Sequence, residues 1–599
     1  MSGSTSIEYA PNFQALSLFR VCFAIYLLVA FATAAPFYRE FYTQTGLTPL
    51  STLAADRGIA GITSLLPLLR FVDGSGLALL VPIAYPASLI ALAIGYRTRW
   101  ACGVAFVLNC YLFWRNPLLV SGAEILARLL LLWCLFLPIN RYWSVDAALD
   151  TEPRRRAYPA LPFVALRLQI SSLYFFSALF KMEGDAWRHG FALSWTLQDT
   201  LYGATPAGLF FVQHLDGLVI AANYAVIAFQ FSFPYLIYSP WRNDLTRAIA
   251  IAGSAVMHLS FIFFLRIGGF PYLCLIMLIL LVPDRWVDRV LRRRRERLGS
   301  VSLFYEPGCA FCEKVSRLLR EFVLAPTTQL LPASADPAAL RLLTEANSWV
   351  VRDPRGESHI KWRAMAYVLR QNPATFVLGW LTDLSSARRL TERGYDFIGA
   401  QRPLLGKITR VLLPLRSDRA LGRGLLALNG TLAGLALLCN VMSLDQWTID
   451  RNRQEIHAST YQGARAWLAE IFAAAQVRQV WALFAPIPVH WDWRFRFAAQ
   501  DAGGVPTDLA PRLPFLAASA DGAVRFRHLY WAQYLARFDL FSDEDWTSFG
   551  RYLCARADAP ASVSLSVTMT PLTYPLAEGL GVSTERQFAC MAAPANGQP

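Results

Sequence analysis

From Phe13 to about Val282 the chain alternates between long apolar stretches and short polar ones. The apolar stretches fall at Phe13–Ala35, Leu77–Ile94, Trp100–Phe113, Ile125–Pro138, Leu161–Phe180, Leu218–Tyr238, Ala248–Leu265 and Phe270–Val282. Runs of this kind predict membrane-spanning helices. Several are short for a hydrocarbon core of ~30 Å, so their ends are fixed only to within a few residues. Eight spans return the chain to the side on which it began. The first span is too long for a signal-peptide core and lacks a basic leader, so it is expected to be retained despite its Ala32–Ala35 end. Beyond residue 300 the pattern changes. Val301–Tyr305 reads as a strand and Glu313–Leu324 as a helix, the start of a soluble α/β module. A ninth apolar run covers about Leu425–Leu444. In the tail, Arg451–Val477 has the pattern of an amphipathic helix. Trp491, Trp493, Phe495 and Phe497 then alternate with polar neighbours, as do Val563, Leu565, Val567 and Met569, so the tail reads as mostly β.

Composition agrees with this pattern. Of 599 residues 55% are hydrophobic and the mean hydropathy is +0.35, too apolar for a soluble protein of this size. The net charge of +14 comes largely from arginines flanking apolar runs, which argues for topology and against nucleic-acid binding. Loops 95–99, 139–160, 239–247 and 284–297 hold fifteen Lys and Arg, against six in loops 36–75, 115–122, 182–211 and 266–269. The first set is expected to face the cytoplasm. The run Arg292–Arg297 is then a topology anchor rather than a binding site.

Candidate chemistry begins at Lys181, the only lysine in the first half of the chain. A buried lysine can lose its charge and act as a base, which arginine cannot do; the alternative is an interfacial anchor. Glu183, Asp185, Trp187, Arg188 and His189 follow it. With His214, Asp216 and Arg266 at a similar depth, and His258 within a span, they are expected to form a polar pocket. Arg20, Glu124, Arg128 and Arg167 also lie in or at the edge of spans. Glu124 and Arg128 are four apart and can pair on one helix face.

Several stretches resemble the vitamin K-dependent gamma-carboxylase family within the wider HTTM group: Arg141–Asp146, Leu166–Ile170, Tyr174-Phe175, Lys181, Trp187–Gly190, and His258 followed by Ile267–Tyr272. The similarity covers roughly residues 13–290. It implies that Lys181 is the base for oxidation of a reduced quinone by oxygen, on the non-cytoplasmic side. The family's assisting histidine falls at Pro117, and one extra residue separates Lys181 from Trp187, so the resemblance extends to quinol-linked oxidation better than to glutamate carboxylation.

Cys309-Ala310-Phe311-Cys312 stands after the strand, at a helix start. A thiolate there is favoured by backbone N–H groups, and the second Cys can resolve a mixed disulfide. A zinc site needs two more ligands, and the nearest downstream histidine, His359, is isolated, so redox chemistry is the reading and no metal is expected. Phe304–Cys312, with Tyr395–Ile398 and Arg402, resembles the DCC group of thioredoxin-like proteins, although Glu306-Pro307 departs from its Asp-Gly element. That resemblance makes Cys309 the nucleophile and Cys312 the resolving thiol. Cys22, Cys102, Cys110, Cys134, Cys274 and Cys439 lie in spans and read as packing residues. Cys554 and Cys590 pair if their compartment is oxidising. Gln479–Pro486 resembles a segment that follows HTTM domains in bacterial fusions.

The expected fold is a polytopic α-helical membrane bundle of about eight plus one spans, with an inserted thioredoxin-like α/β domain and a C-terminal β-rich external domain. The boundaries are 1–290 for the bundle, 300–403 for the α/β domain, 420–444 for the ninth helix and 445–599 for the external domain. The expected location is the inner membrane, with the N-terminus and 300–403 cytoplasmic and 445–599 periplasmic. The expected function is a membrane oxidoreductase using Lys181, Cys309 and Cys312, with a reduced quinone as cofactor. Its partners would be the bilayer, a cytoplasmic thiol reductant or oxidant, and a periplasmic client protein. The alternative is a non-catalytic export or maturation scaffold whose only active part is the thiol module.

Overall fold

In the computed structural model, residues 12–54, 62–151, 158, 160–199, 205–298, 301–324, 328–415, 423–451 and most of 479–590 are described. The predicted amphipathic helix over 451–477 lies almost wholly outside them. Among the described residues, five stretches are helical, long and apolar enough to cross a membrane: Phe13–Tyr42, Leu77–Ile94, Leu161–Met182, Asp216–Tyr238 and Asn243–Phe264. The protein is a multi-pass membrane protein. Its bundle is built from α1 (Phe13–Ala34), α2 (Val81–Ile94), α3 (Thr98–Arg115), α4 (Gly122–Phe136), α5 (Leu161–Met182), α6 (Asp216–Tyr238), α7 (Asn243–Phe264) and α8 (Phe270–Met277). The remaining expected spans fall on α3, α4, α8 and the later helix α15. Among these, Phe270–Leu281 and Leu426–Leu438 are shorter apolar helices.

Buried polar groups tie the helix ends to the loops. The Arg20 guanidinium, 0% exposed, donates to the carbonyls of Ile139, Ala93 and Trp143. Gly95, at φ +68°, closes α2 against it; a Cβ there would meet Ser144 Cβ at 2.3 Å. At the other end Arg115 pairs with Asp73 at 3.2 Å and donates to Thr48 O, while Asn116 Nδ2 reaches Phe41 O at 3.0 Å. Burying arginine in this setting is tolerable because carbonyls and a carboxylate meet most of each guanidinium, although Arg20 Nε and Arg115 Nη2 have no hydrogen-bond partner among the described residues.

The α/β unit contains β1 (Ser302–Tyr305), α9 (Ala310–Phe322), β2 (Gln329–Pro332), α10 (Pro337–Ala346), β3 (Val350–Arg352), β4 (Ser358–Ile360) and α11 (Lys361–Arg370). Its sheet runs β2-β1-β3-β4, with β1–β2 parallel and the other pairs antiparallel. The unit continues past the expected boundary at 403 through α12 (Phe376–Asp383), α13 (Ser385–Ala400) and α14 (Arg402–Leu412). The expected helix over 313–324 begins three residues early, because the Cys309 sulfur caps it by accepting from Cys312 N at 3.2 Å. α9 rests on the bundle. Trp143 N donates to Glu321 Oε1 at 2.7 Å and Arg317 Nη1 to Asp150 O at 3.3 Å.

α15 (Arg423–Arg451) returns to the bundle, where Asn429 Nδ2 donates to Phe136 O and Tyr158 Oη. The tail forms β5 (Trp491–Gln500), β6 (Pro506–Asp508), β7 (Leu516–Ala517), β8 (Arg525–Phe526), α16 (Leu529–Leu535), α17 (Asp543–Cys554), β9 (Ser562–Pro571) and β10 (Val582–Ala589). The alternating stretches pair as antiparallel β5 and β9, Phe495 opposite Val567 and Phe497 opposite Leu565. Two helices pack with these strands in the described part of the tail. The tail is not a detached domain, since its apolar core is continuous with that of the bundle. Trp531, 0% exposed, stacks on Phe515 at 3.9 Å and meets Phe41 at 4.9 Å and Phe37 at 6.0 Å. Arg20 marks the bundle end that carries the α/β unit, and Phe37 the end that carries the tail. At 1.5 Å per residue the two lie roughly 25 Å apart along the first helix.

Candidate functional site

Spacings of three, four and seven put Tyr174, Ser177 and Lys181 on one face of α5. Lys181 is 4% exposed; its Nζ donates to Ser177 Oγ at 2.7 Å and stands 5.0 Å above the Trp187 ring. Trp187 lies on the short helix Asp185–Arg188 and is itself buried. Its Nε1 donates to Phe484 O at 2.7 Å, and its own carbonyl accepts from Asn223 Nδ2 at 3.0 Å. Phe484 adopts φ +55°, an unusual conformation for a bulky residue, and packs against Trp187 and Ile227. Nearer the other end of the bundle, Tyr174 Oη bonds His258 Nε2 at 3.0 Å and also Ser254 Oγ. His258 Nδ1 is buried without a hydrogen-bond partner among the described residues.

The expected polar pocket is only partly assembled. Lys181 and Trp187 are together, with His258 linked through Tyr174. Glu183, Asp185, His189, His214, Asp216 and Arg266 are exposed at the end of the bundle. Asp185 pairs with Arg188; His189 Nδ1 bonds Asp185 O at 2.9 Å and His214 Nδ1 bonds Phe210 O at 3.1 Å. The physical reason is that depth along a helix fixes height but not direction, and these side chains sit beyond the apolar walls where water solvates them. Glu124 and Arg128 do not pair. The Glu124 carboxylate closes a capping box on Ser121, accepting from Ser121 N at 2.8 Å, and Arg128 lies over the Phe113 ring at 4.2 Å.

Sequence reasoning missed a buried amide chain. Gln169 Nε2 donates to Gln479 Oε1 at 2.6 Å, Gln479 Nε2 to Asn440 Oδ1 at 3.0 Å, and Trp481 Nε1 to Gln479 Oε1 at 2.8 Å. Gln169, Gln479 and Trp481 are all buried. The signal was a lone Gln in a span and the Gln479–Pro486 motif. Of that motif, Gln479 is seated on α5 through Gln169, and Phe484 on the Asp185–Arg188 helix through Trp187, whose ring faces Lys181.

At the other end of the bundle Cys309 and Cys312 are joined in a disulfide at the first turn of α9. Glu306 Oε2 lies 3.7 Å from Cys312 Sγ and 3.1 Å from Arg402 Nη1. Arg402 is fixed by Asn347 Oδ1 at 2.9 Å and Asn347 O at 2.7 Å. His359 stands apart, against Asp353 at 3.5 Å. In the tail Cys554 and Cys590 form a disulfide.

These features define a multi-pass membrane protein that also carries an α/β unit and a mixed α/β tail. Residues 64–286 match the HTTM domain family. No solved structure matches the chain.

Proposed function

We propose that the chain is a membrane-anchored thiol–disulfide oxidoreductase with Cys309 as attacking thiol and Cys312 as resolving thiol. One observation carries this reading: the Cys309–Cys312 pair opens α9 straight after the inner strand β1 of a β2-β1-β3-β4 sheet. That strand order is the thioredoxin-like one, in line with the DCC resemblance of 304–312 and 395–402. The helix N-terminus favours a thiolate at Cys309. That thiolate attacks a client disulfide, forming a mixed disulfide and releasing one client thiolate. Cys312 passes its proton to Glu306, at 3.7 Å, and attacks the Cys309 sulfur. The second client thiolate leaves, and the Cys309–Cys312 bond forms. A thiol reductant returns the pair to the dithiol. The arginine excess in loops 95–99, 139–160, 239–247 and 284–297 supports a cytoplasmic α/β unit, and with it nine crossings and an external tail. The test is disulfide reduction by the full chain in lipid. Cys309→Ser abolishes turnover, and Cys312→Ser traps a mixed disulfide. Unchanged turnover in Cys309→Ser refutes the reading.

A second reading rests on Lys181. The HTTM match and the gamma-carboxylase resemblance support reading it as the base for chemistry on a lipid-phase substrate. The buried Lys181 amine, and separately His258 Nδ1, which has no hydrogen-bond partner among the described residues, are groups of the kind that bind hydroxyl or carbonyl oxygens such as those of a reduced quinone. The quinone, when bound, supplies the electrons; Lys181 holds or takes a proton at Nζ, and the Trp187 ring and Phe484 exclude water. Oxygen uptake with a panel of reduced quinones, lost in Lys181→Ala, tests this. Uptake by neither protein assigns Lys181 to the interface as an anchor and leaves the thiol unit as the active part of a scaffold.

A further inference from the structure

The α/β unit presents an apolar surface on its last three helices. On α12, Phe376, Val377 and Trp380 lie on one face and are 50%, 62% and 53% exposed. Leu390 and Phe397 on α13, one heptad apart, are 74% and 68% exposed. Leu404, Ile408 and Val411 on α14 follow the i, i+4, i+7 spacing of a single stripe, and all three are exposed. These exposures match those of outward-facing residues in the spans, such as Ile83 at 68% and Phe263 at 63%. A water-facing surface seldom gathers so many large apolar side chains. Arg389, Arg393, Lys407 and Arg410 flank the stripes, are exposed, and make no ion pair among the described residues.

We infer that α12, α13 and α14 lie in the plane of the membrane, with their apolar faces among the acyl chains and these cations toward anionic headgroups. Two anchors set the height. Tyr96 Oη, just past the end of the span Leu77–Ile94, donates to Leu412 O at 2.8 Å and so fixes the end of α14 at the level where that span leaves the bilayer. Asn372 Nδ2 donates to Phe322 O at 3.0 Å and Val323 O at 3.2 Å, next to Glu321, which holds Trp143 N. That places the start of α12 at the same end of the bundle. The chain then runs from α14 through a short connection into α15, whose segment Leu426–Leu438 is apolar. The end of α14 therefore stands against the membrane-embedded bundle. Its chemistry, an apolar stripe with a tryptophan and a basic border, is that of an interfacial amphipathic helix. Gly379 permits the arrangement by letting α12 press onto α11; a Cβ there would meet Ala366 O at 2.8 Å.

The test uses the full native chain in vesicles of phosphatidylcholine and phosphatidylglycerol containing a phospholipid photoreactive in its acyl chain. Labelled peptides are then located by mass spectrometry. The expected result is lipid adducts on peptides spanning 376–384 and 404–412 in a yield comparable to that of the peptide carrying Ile83. The exposed turn at Arg355 should be labelled about tenfold less, as a surface held off the bilayer. Phe397→Glu with Val411→Glu should cut adducts on 404–412 severalfold and leave those at Ile83 unchanged. Labelling of 376–384 and 404–412 no higher than at Arg355 overturns the inference.

Discussion

Replacing Trp187 with Phe removes one donor and keeps most of the ring. In the native chain that donor, Nε1, holds the Phe484 carbonyl at 2.7 Å, and the ring lies 5.0 Å beneath Lys181 Nζ. The net value of such a bond is about 1 kcal/mol, and leaving a buried carbonyl unpaired adds roughly 1–3 kcal/mol. Phe484 also holds a left-handed backbone, φ +55°, whose cost of about 1 kcal/mol this bond helps to offset. The segment at Phe484 and Ala485 should therefore be destabilised by about 2 kcal/mol, which is a roughly 30-fold rise in its open population. The assay is amide exchange of the peptide carrying Phe484 and Ala485 in the full chain in lipid, with acylation of Lys181 followed in parallel. Lys181 is the only lysine before Lys314, so its peptide is unambiguous. Trp133→Phe is the control. Trp133 is 0% exposed and its Nε1 has no hydrogen-bond partner among the described residues, so the same change of ring removes volume without removing a bond. Faster exchange at Phe484 in Trp187→Phe but not in Trp133→Phe is expected. Equal exchange in all three proteins would refute the claim that this bond seats the segment over Lys181.

Three further outcomes follow from the geometry. Cys590→Ser opens a loop of sequence separation 36 and should cost the tail roughly 4 kcal/mol on the chain-entropy estimate, read as a lower denaturation midpoint that reductant imposes on the native chain too. Arg537→Gln removes charge-assisted bonds from Nη1 to Pro117 O at 3.0 Å and Leu118 O at 2.9 Å, and from Nη2 to Val120 O. It should loosen the tail by about 3 kcal/mol, seen as faster exchange at residues 118–120, and Arg537→Lys should restore only part because it lacks the planar fork. Asp336 is held down to about 2 by the Arg352 guanidinium and then by the Ala339 and Ala338 amides it caps. Its folded value lies below the ordinary carboxylate value of about 3.9, so its contribution is complete above about pH 4 and is lost as pH falls toward 2. Asp336→Asn should flatten that acid limb in the exchange protection of β3.

Most of the helices were legible because a membrane-length apolar run has few other solutions. The alternation over Trp491–Phe497 and Val563–Met569 was legible for the same kind of reason, and β5 and β9 pair along it. What escaped was set by contacts distant in sequence. Trp531 and Tyr534 pack against Phe41, nearly 500 residues away, so the tail shares a core with the bundle where a separate domain was expected. The Glu124–Arg128 spacing suggested a pair, but Ser121-Gly122-Ala123-Glu124 is also a capping box, and the amide at a helix start wins the carboxylate. Lys181 was visible as a single lysine among arginines. Trp187 was named beside it, whereas its Ser177 partner and the Phe484 carbonyl above Trp187 emerged only in the fold.

The two candidate chemistries sit at opposite ends of one bundle, and the geometry constrains how they could cooperate. Lys181 is at the last turn of α5, a helix of 22 residues and about 33 Å. Cys309 and Cys312 are on the unit that α9 rests against Trp143 and Asp150, beyond the other end. A direct exchange of electrons or protons between them would have to cross most of the bilayer. Cys102, Cys110, Cys134 and Cys274 are free thiols buried within the bundle, and Cys22 is partly buried there. None of them is joined to a second cysteine, so they form no chain of disulfides along the bundle. The fold is therefore better suited to two independent reactions, or to one reaction and one anchor, than to a relay. Activity at Lys181 that persists in Cys309→Ser, and thiol turnover that persists in Lys181→Ala, is the pattern expected of separate sites. Loss of both activities in either variant would require a diffusible carrier and would overturn the separation argued from this geometry.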